Sequence, residues 1–358
     1  MKSCAITVLV VFVTALTGCG GGSTPTSLGV GGGPTTSGTT VVVAGGNQFD
    51  TFIHTAIGAV TPAPGSPITA VASTSSCAAD PANAFVVVAY NNATIVSYRI
   101  NSDGSATAVT TGFTSGLTTP MAEAGGRFVY AAETSGNLTQ IGGFALGSTG
   151  SLQSLPNQLT NTPVVDLVAH PNGRILVITQ NPLAVQSFSI DPVTGQLTPA
   201  TLPFSGAGGS GPNSMAFVQN GAFLLTAEGV APNFPVDVLT VDAATGTITR
   251  VGSPVNTRGA LFLAAHPNGR FVYAFSQNSV TPLSLDVNGI VTVGTTTTMP
   301  TGFTPTAATV DRAGATLFVT GDNGSLLAFN LDANTGLPTA APVSTTTLNF
   351  TPLCVFPK

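Results

Sequence analysis

Charged side chains are scarce in this 358-residue sequence. They make up 6% of the residues, and 9 Lys and Arg against 14 Asp and Glu give a net charge of -5. The few basic residues are dispersed and form no cationic stripe, which argues against a nucleic-acid-binding surface. No part of the sequence combines helix-forming residues with an apolar stripe, so we expect an all-β protein.

Tryptophan is absent, and the sequence has only 3 His and 4 Cys. The dispersed His residues give no zinc signature, and no phosphate-binding glycine loop or haem motif occurs. We therefore expect no metal and no cofactor. His170 and His266 both precede Pro-Asn-Gly, which is a turn sequence. We interpret them as turn residues rather than as a metal-binding or acid-base pair.

The first residues have the pattern of an export signal. Lys2 is followed by an apolar stretch of about a dozen residues, too short to cross a bilayer as a helix. The sequence LTGC that ends at Cys19 resembles the lipobox of bacterial lipoproteins. The resemblance implies a signal peptide over residues 1–18, lipid attachment at Cys19 and, with Gly20 next, the outer membrane. The alternative is an ordinary signal peptide with an incidental Cys.

Residues 19–40 consist almost entirely of Gly, Ser, Thr and Pro and carry no charge. Such a composition buries too little apolar surface to offset the entropy of ordering the chain, so we expect a flexible tether. The folded body then spans residues 41–358. We expect an exported monomer that is anchored in the cell envelope through Cys19.

A turn followed by a long apolar strand recurs along this body. The clearest example is HPNGRFVYAF at residues 266–275, where a polar turn precedes a run suited to a strand buried on both faces. Corresponding runs are aligned at Phe85, Phe128, Ile175, Phe223, Phe271 and Leu317. A period of about 43–48 residues in an all-β sequence predicts the four-stranded blades of a propeller.

Two fragments complete the ring of blades. Residues 41–67 lack an innermost strand, and the C-terminal residues 350–356 supply one that no further strand follows. Together with the six whole repeats, they predict a seven-bladed β-propeller whose C-terminal strand joins the N-terminal blade. This closure places Cys77 and Cys354 on neighbouring inner strands, which predicts a disulfide. Two separately buried thiols are the alternative.

The HPNGR motif and the turn sequence SIDPVTGQLTP resemble the seven-bladed propeller lactonases, the family of 6-phosphogluconolactonase, over residues 41–358. That family has a GPRH motif, and a Glu follows it at the end of the next long strand. The matching residues here are the stretch GPNS, which ends at Ser214, and Glu228. The Glu is retained, whereas Asn213 and Ser214 replace the Arg and the His.

The replacement removes the guanidinium and the imidazole that lactone opening would use. We therefore favour a non-catalytic envelope lipoprotein that binds a small molecule or a protein at one mouth of the propeller. The alternative is a lactonase that opens a sugar lactone or similar ester, with Glu228 as general base and Arg258 at the oxyanion. The candidate ligand-binding residues are Asn91, Glu133, Gln180, Asn213, Ser214, Gln277 and Asp322. Their other interpretation is as solvated loop residues.

Overall fold

The computed structural model describes residues 39–357, except for residues 56–58, 81–83, 115, 136–137, 161, 181–183, 201–203, 206–211, 229–234 and 258. The described residues form seven antiparallel sheets and one short 3-10 turn, η1 (Gln219–Gly221), which confirms the predicted all-β class. Cys19 and Arg258 lie outside these residues. Within the described part of the chain, no helix has the length and hydropathy needed to cross a membrane.

Each sheet is one blade. In blades 2 to 7 the chain passes through the strands from the axis outward, whereas the inner strand of blade 1 comes from the C-terminal end of the chain. Blade 1 contains β1 (Thr39–Gly45), β2 (Gln48–His54), β3 (Val60–Pro62) and β4 (Ile68–Thr69). Blade 2 contains β5 (Thr74–Ala79), β6 (Phe85–Tyr90), β7 (Thr94–Ile100) and β8 (Ala106–Phe113). Blade 3 contains β9 (Leu117–Ala124), β10 (Phe128–Ser135), β11 (Leu138–Leu146) and β12 (Leu152–Thr160).

The remaining blades follow the same plan, with an additional two-residue strand in blades 4 to 6. Blade 4 contains β13 (Val164–Ala169), β14 (Ile175–Gln180), β15 (Ala184–Ile190), β16 (Leu197–Pro199) and β17 (Phe204–Ser205). Blade 5 contains β18 (Pro212–Val218), β19 (Phe223–Glu228), β20 (Pro235–Val241), β21 (Ile248–Arg250) and β22 (Val255–Asn256). Blade 6 contains β23 (Phe262–Ala265), β24 (Phe271–Phe275), β25 (Ser279–Leu285), β26 (Val291–Val293) and β27 (Thr297–Thr298). Blade 7 contains β28 (Pro305–Val310), β29 (Thr316–Gly321), β30 (Ser325–Asn330) and β31 (Ser344–Thr347), and the chain ends with β32 (Pro352–Pro357).

The C-terminal strand β32 closes the ring. It pairs antiparallel with β1, with Val355 opposite Val43 and Cys354 opposite Ala44, and so becomes the inner strand of blade 1. The inner strands contact one another in the order β32, β5, β9, β13, β18, β23 and β28, and β28 contacts β32. This arrangement confirms the predicted seven-bladed propeller. Blade 1 begins at Thr39, just before residue 41.

The second strand of each blade is buried on both faces. In β6, with sequence FVVVAY, every residue is buried. Val86 and Val88 pack against blade 1, whereas Val87 and Ala89 pack against blade 3, because alternate side chains point to opposite faces. We call each interface between neighbouring blades a seam. Burial of one Val or Phe there contributes about 1.5–3 kcal/mol, so the seams hold the ring together.

The turns that begin with Asp and end with Gly also join the blades. Asp191 Oδ1 accepts the N–H groups of Val193 (2.9 Å) and Thr194 (2.7 Å), and Gly195 closes the turn with a φ of 71°. The Gly195 carbonyl accepts the hydroxyl of Tyr130 in blade 3, at 2.7 Å. Equivalent bonds join Ser187 to Gly246 and Tyr273 to Gly336, and Ser97 bonds Gly150 in the same way although that turn begins with Gly147.

One aligned repeat needs a correction of one residue. In blade 7 the Asp311 N–H donates to the Thr316 carbonyl. In blade 6 the His266 N–H donates to the Phe271 carbonyl at the same place in the turn. Thr316, and not Leu317, is therefore the equivalent of Phe271. The sequence alignment of Leu317 with Phe271 is wrong. It matches one large apolar residue with another, whereas this strand begins with Thr316, whose side chain is buried.

Candidate functional site

The second strands of the blades end at one opening of the channel, which we call the upper mouth. The loops that follow these strands carry three predicted ligand-binding residues, Asn91, Gln277 and Asp322, and all three are exposed. The Asn91 N–H donates to the Ser73 carbonyl (2.9 Å), and the Asp322 carboxyl group accepts the Thr304 N–H (3.1 Å). These bonds fix two of the loops to the segments that lead into the inner strands.

The inner strands carry β-bulges near this mouth. In β5, β13, β18, β28 and β32 the pairing register shifts by one residue opposite the end of the second strand. The skipped residues are Ser75, Val165, Asn213, Thr306 and Leu353. None of these five residues is charged. The predicted ligand-binding residue Asn213 is exposed at its bulge.

A cavity of about 400 Å³ lies against the same part of the channel wall. It is lined by residues of four inner strands, β32, β5, β9 and β13, which include Ser75, Ser76, Met121, Val165 and Leu353. No described residue that lines it is charged. A neutral molecule with polar and apolar groups therefore suits this cavity better than an anion such as a phosphate ester.

Ser214, which replaces the His of the family motif, already has a structural hydrogen bond. Its Oγ accepts the N–H of Leu263 in the next inner strand at 3.1 Å, and the residue is buried. Asp166, at the equivalent place in blade 4, accepts the N–H of Met215 at 2.6 Å. Burial raises the pKa of Asp166 to about 6, although the N–H donors of Leu167 and Met215 oppose this shift. Both side chains join neighbouring inner strands.

Glu228, the predicted general base, is the last residue of β19 and is 0% exposed. The ladder sets it opposite Pro212, so the structure brings this Glu next to Asn213 and Ser214. Its side chain lies on the same face of the strand as Leu224, which packs in the seam with blade 4. A general base must contact water or substrate, and complete burial in a seam does not favour that role.

Glu133 and Gln180 occupy the place of Glu228 in blades 3 and 4, since each is the sixth residue of its apolar run. Both are buried, and Gln140 Nε2 donates to Glu133 Oε2 at 3.0 Å. Because successive side chains of a strand point to opposite faces, the side chains of Glu133 and Gln180 each face the preceding blade. The structure therefore distributes Glu133, Gln180 and Glu228 over three successive seams and does not gather them in one pocket.

His170 and His266 lie in turns at the opposite end of the inner strands. Their Nδ1 atoms accept the N–H groups of Asn172 and Asn268, both at 3.1 Å, and His266 Nε2 bonds the Gly314 carbonyl at 3.0 Å. These are the contacts that turn residues make. Among the described residues, no three His, Cys, Asp or Glu side chains are grouped so that they could hold a metal ion.

Sequence reasoning missed two features of the site. Asp166 has no local signature, because its partner Met215 belongs to the next blade and is 49 residues away. Gly142 and Gly143 lie inside β11, and Gly142 leaves the space that the Glu133 carboxyl group occupies. A Gly-Gly pair within a strand is a recognisable signal of close approach, so this second feature could have been found.

Comparison with solved structures identifies the same fold in other proteins. A candidate 6-phosphogluconolactonase of Bacteroides fragilis superposes with a TM-score of 0.76 at 20% identity, over 91% of this chain and 99% of that one. A second, from Bacteroides uniformis, gives 0.75 at 17% identity, over 90% and 99%. A protein of Lactobacillus plantarum gives 0.74 at 15% identity, over 89% and 99%. These three proteins and this chain share the β-propeller fold.

No family model and no curated protein matches this chain. These three structural likenesses are at 20% identity or below, so they establish the architecture and not the activity. The function must be argued from the residues at the upper mouth.

Proposed function

We propose that this protein is a cell-envelope lipoprotein that binds a neutral small molecule at the upper mouth of its propeller without hydrolysing it. The observation that carries the proposal is that Ser214 and Glu228, at the positions of the family motif, are both buried. The Ser214 hydroxyl is held by the Leu263 N–H, and the Glu228 carboxyl group is fully buried. Neither group is placed to activate a water molecule.

The chemistry of the upper mouth supports a neutral ligand. Asn91, Asn213 and Gln277 contribute amide groups, which can donate and accept hydrogen bonds. Ser75 and Ser76 add hydroxyl groups in the adjoining cavity, where apolar side chains supply the rest of the wall. Among the described residues of this region, the only predicted site residue with an exposed charge is Asp322. A polyhydroxylated ring with one apolar face matches these groups.

The attachment to the membrane is proposed from the sequence. The apolar leader, the LTGC sequence ending at Cys19 and the uncharged tether form a consistent series, and they support a propeller that lies outside the inner membrane. Two extracytoplasmic features agree with export: the charge-poor composition and the Cys77–Cys354 disulfide, which persists in oxidising compartments. We propose the outer membrane as the location and a monomer as the functional unit.

An acid-release assay separates binding from hydrolysis. The full-length protein in detergent is incubated with D-glucono-1,5-lactone, and the rate of acid release is compared with that of buffer and of the Glu228→Gln variant. We expect wild type and variant to match the uncatalysed rate. Turnover in the wild type that the Glu228→Gln change abolishes would overturn the proposal.

One observation favours the lactonase as a second candidate. The ladder sets Glu228 beside the Asn213–Ser214 stretch, which is the order of the family motif, and two proteins of the same fold are candidate 6-phosphogluconolactonases. In this case Glu228 would be the general base, and Arg258 would steady the oxyanion. The carboxyl group would have to become accessible, and the same assay detects its action.

A further inference from the structure

Glu133 lines a pocket in the seam between blades 2 and 3. The pocket has a volume of about 420 Å³ and lies between the end of β8 and the strands β11 and β12. Phe113 forms part of its rim, Phe144 forms part of its wall, and Ser154 and Asn157 add polar groups. Its described lining contains no Asn91, Asn213, Gln277 or Asp322, so it is separate from the upper mouth.

Blade 3 has a glycine beside the Glu133 carboxyl group, at a position where the other blades have a side chain. Gly142 lies opposite Ala131 in the ladder between β10 and β11. The equivalent residues of the other blades are Asp50, Val96, Gln186, Asp237, Thr281 and Leu327. A Cβ atom at Gly142 would overlap the Glu133 carboxyl group. The glycine thus makes room for an acidic side chain that faces the seam.

The groups around the pocket favour a cation. Glu133 lines the pocket and is 3% exposed, unlike the fully buried Glu228, and Gln140 Nε2 donates to its Oε2. Phe113 is 73% exposed at the rim, although it is a large apolar residue. An ammonium group gains from a carboxylate and from the face of an aromatic ring, and these gains increase where water is excluded. The described lining residues include neither Lys nor Arg, which would favour an anion.

We propose that this pocket binds the ammonium group of a small organic cation, with Glu133 as the counter-ion and Phe113 as the aromatic contact. The site goes beyond the function proposed for the upper mouth, because the pocket lining includes none of the amide and hydroxyl residues proposed to bind the neutral ligand there. Binding of a cation in the seam and binding of a neutral molecule at the mouth are independent events.

Choline and its uncharged isostere 3,3-dimethylbutan-1-ol test the proposal. Binding of each to the full-length protein in detergent is measured by isothermal titration at neutral pH. We expect choline to bind and the isostere to bind at least about tenfold more weakly, since removal of the charge loses a charge-assisted contact. Equal affinities would show that the pocket recognises shape alone and would overturn the proposal.

Two variants assign the binding to these residues. Glu133→Gln keeps the size of the side chain and should weaken choline binding at least about tenfold, and Phe113→Ala should weaken it about threefold. Leu159→Ala is the matched control, because Leu159 is 63% exposed on β12 but does not line the pocket. Asn213→Ala changes the upper mouth, and both controls should leave choline binding unchanged.

Gly142→Ala tests the placement of Glu133, because it adds a methyl group where the Glu133 carboxyl group lies. We expect loss of choline binding with retention of the β-sheet circular dichroism spectrum. If this variant does not fold, the Glu133→Gln and Phe113→Ala results decide the question on their own. The proposal is wrong if wild type shows no binding at millimolar choline, or if Glu133→Gln binds choline as well as wild type does.

Discussion

Cys354 in β32 is bonded to Cys77 in β5, and the two Cα atoms lie 6.3 Å apart. Cys354 follows the bulge of its inner strand, and it contacts the inner strand of the next blade. Asp166 and Ser214 follow the bulges of their own strands and accept a backbone N–H group from the next blade. The disulfide is therefore the covalent form of a contact that recurs between neighbouring inner strands, and it lies where the chain closes the ring.

Loss of the disulfide should lower stability considerably. It joins residues 277 positions apart, and the loop-entropy model assigns such a bridge on the order of 5–6 kcal/mol. We expect Cys77→Ser with Cys354→Ser to lower the free energy of unfolding by up to about that amount in urea titrations. Reductant should destabilise the wild type and leave the double variant unchanged. A wild type that reductant does not affect would contradict this prediction.

The glycine at the end of a blade turn should matter more than a glycine in open space. Gly195 and Gly252 both have positive φ values, so an Ala at either costs about 1–2 kcal/mol. A Cβ at Gly195 would also meet Phe128 and Leu155, whereas at Gly252 it would meet nothing. We expect Gly195→Ala to be more destabilising than Gly252→Ala by a further ~1–3 kcal/mol in chemical denaturation. Equal losses would show that the seam tolerates the methyl group.

Histidine burial should make stability fall in acid. Burial lowers the pKa of His266 from its ordinary value of 6.5, and the bond to the Gly314 carbonyl only partly opposes this shift. The contribution of the neutral ring is fully present above pH 6.5 and is lost as the pH falls through the lower folded-state pKa. Val218 occupies the equivalent place in blade 5 and suggests the variant His266→Val.

The difference in unfolding free energy between wild type and His266→Val should therefore be larger at pH 7.5 than at pH 5. Taking this difference at each pH removes the opposite trend from Asp50 and Asp166, whose pKa values burial raises to about 6. Those two carboxyl groups contribute stability at low pH and lose it as the pH rises through about 6. A difference that stays constant across this range would contradict the account of His266.

Cys19→Ala should remove the protein from the outer membrane. The change removes the proposed site of lipid attachment, whereas the propeller begins only at Thr39 and should fold unchanged. We expect wild type in the outer-membrane fraction and the variant in the inner membrane or the soluble periplasm, as detected by fractionation and immunoblotting. Cys4→Ala is the control, because that residue lies within the expected signal peptide. An unchanged distribution of Cys19→Ala would contradict lipid anchoring.

The sequence predicts the fold to the level of strand pairing because each repeat contains turn sequences that mark where its strands begin and end. Turn sequences such as HPNG and DPVTG recur at fixed distances from buried runs, and this spacing leads to the closing strand and to the pair Cys77–Cys354. The error of one residue at Thr316 arises where the usual apolar residue is replaced by a hydroxyl. Local pattern alone cannot place a strand whose first residue departs from it.

The site is less predictable than the fold. Glu228 ends its long strand, as the family motif implies, but Glu133 and Gln180 were expected in loops and lie in the strands β10 and β14. The burial of all three in separate seams depends on which face of each strand they occupy. The bulges at Asn213 and Val165 shift the inner strands by one residue, and no sequence signal marks such a shift. These contacts between blades therefore become apparent only in the folded structure.

Binding of a neutral, hydrolysis-resistant analogue is the most direct test of the central claim. Titration calorimetry with D-glucono-1,5-lactam should show binding to the wild-type protein that is weakened by Asn213→Ala and Gln277→Ala and unaffected by Glu133→Gln. No heat of binding at millimolar lactam, or binding that these two mouth variants leave unchanged, would contradict a ligand site at the upper mouth.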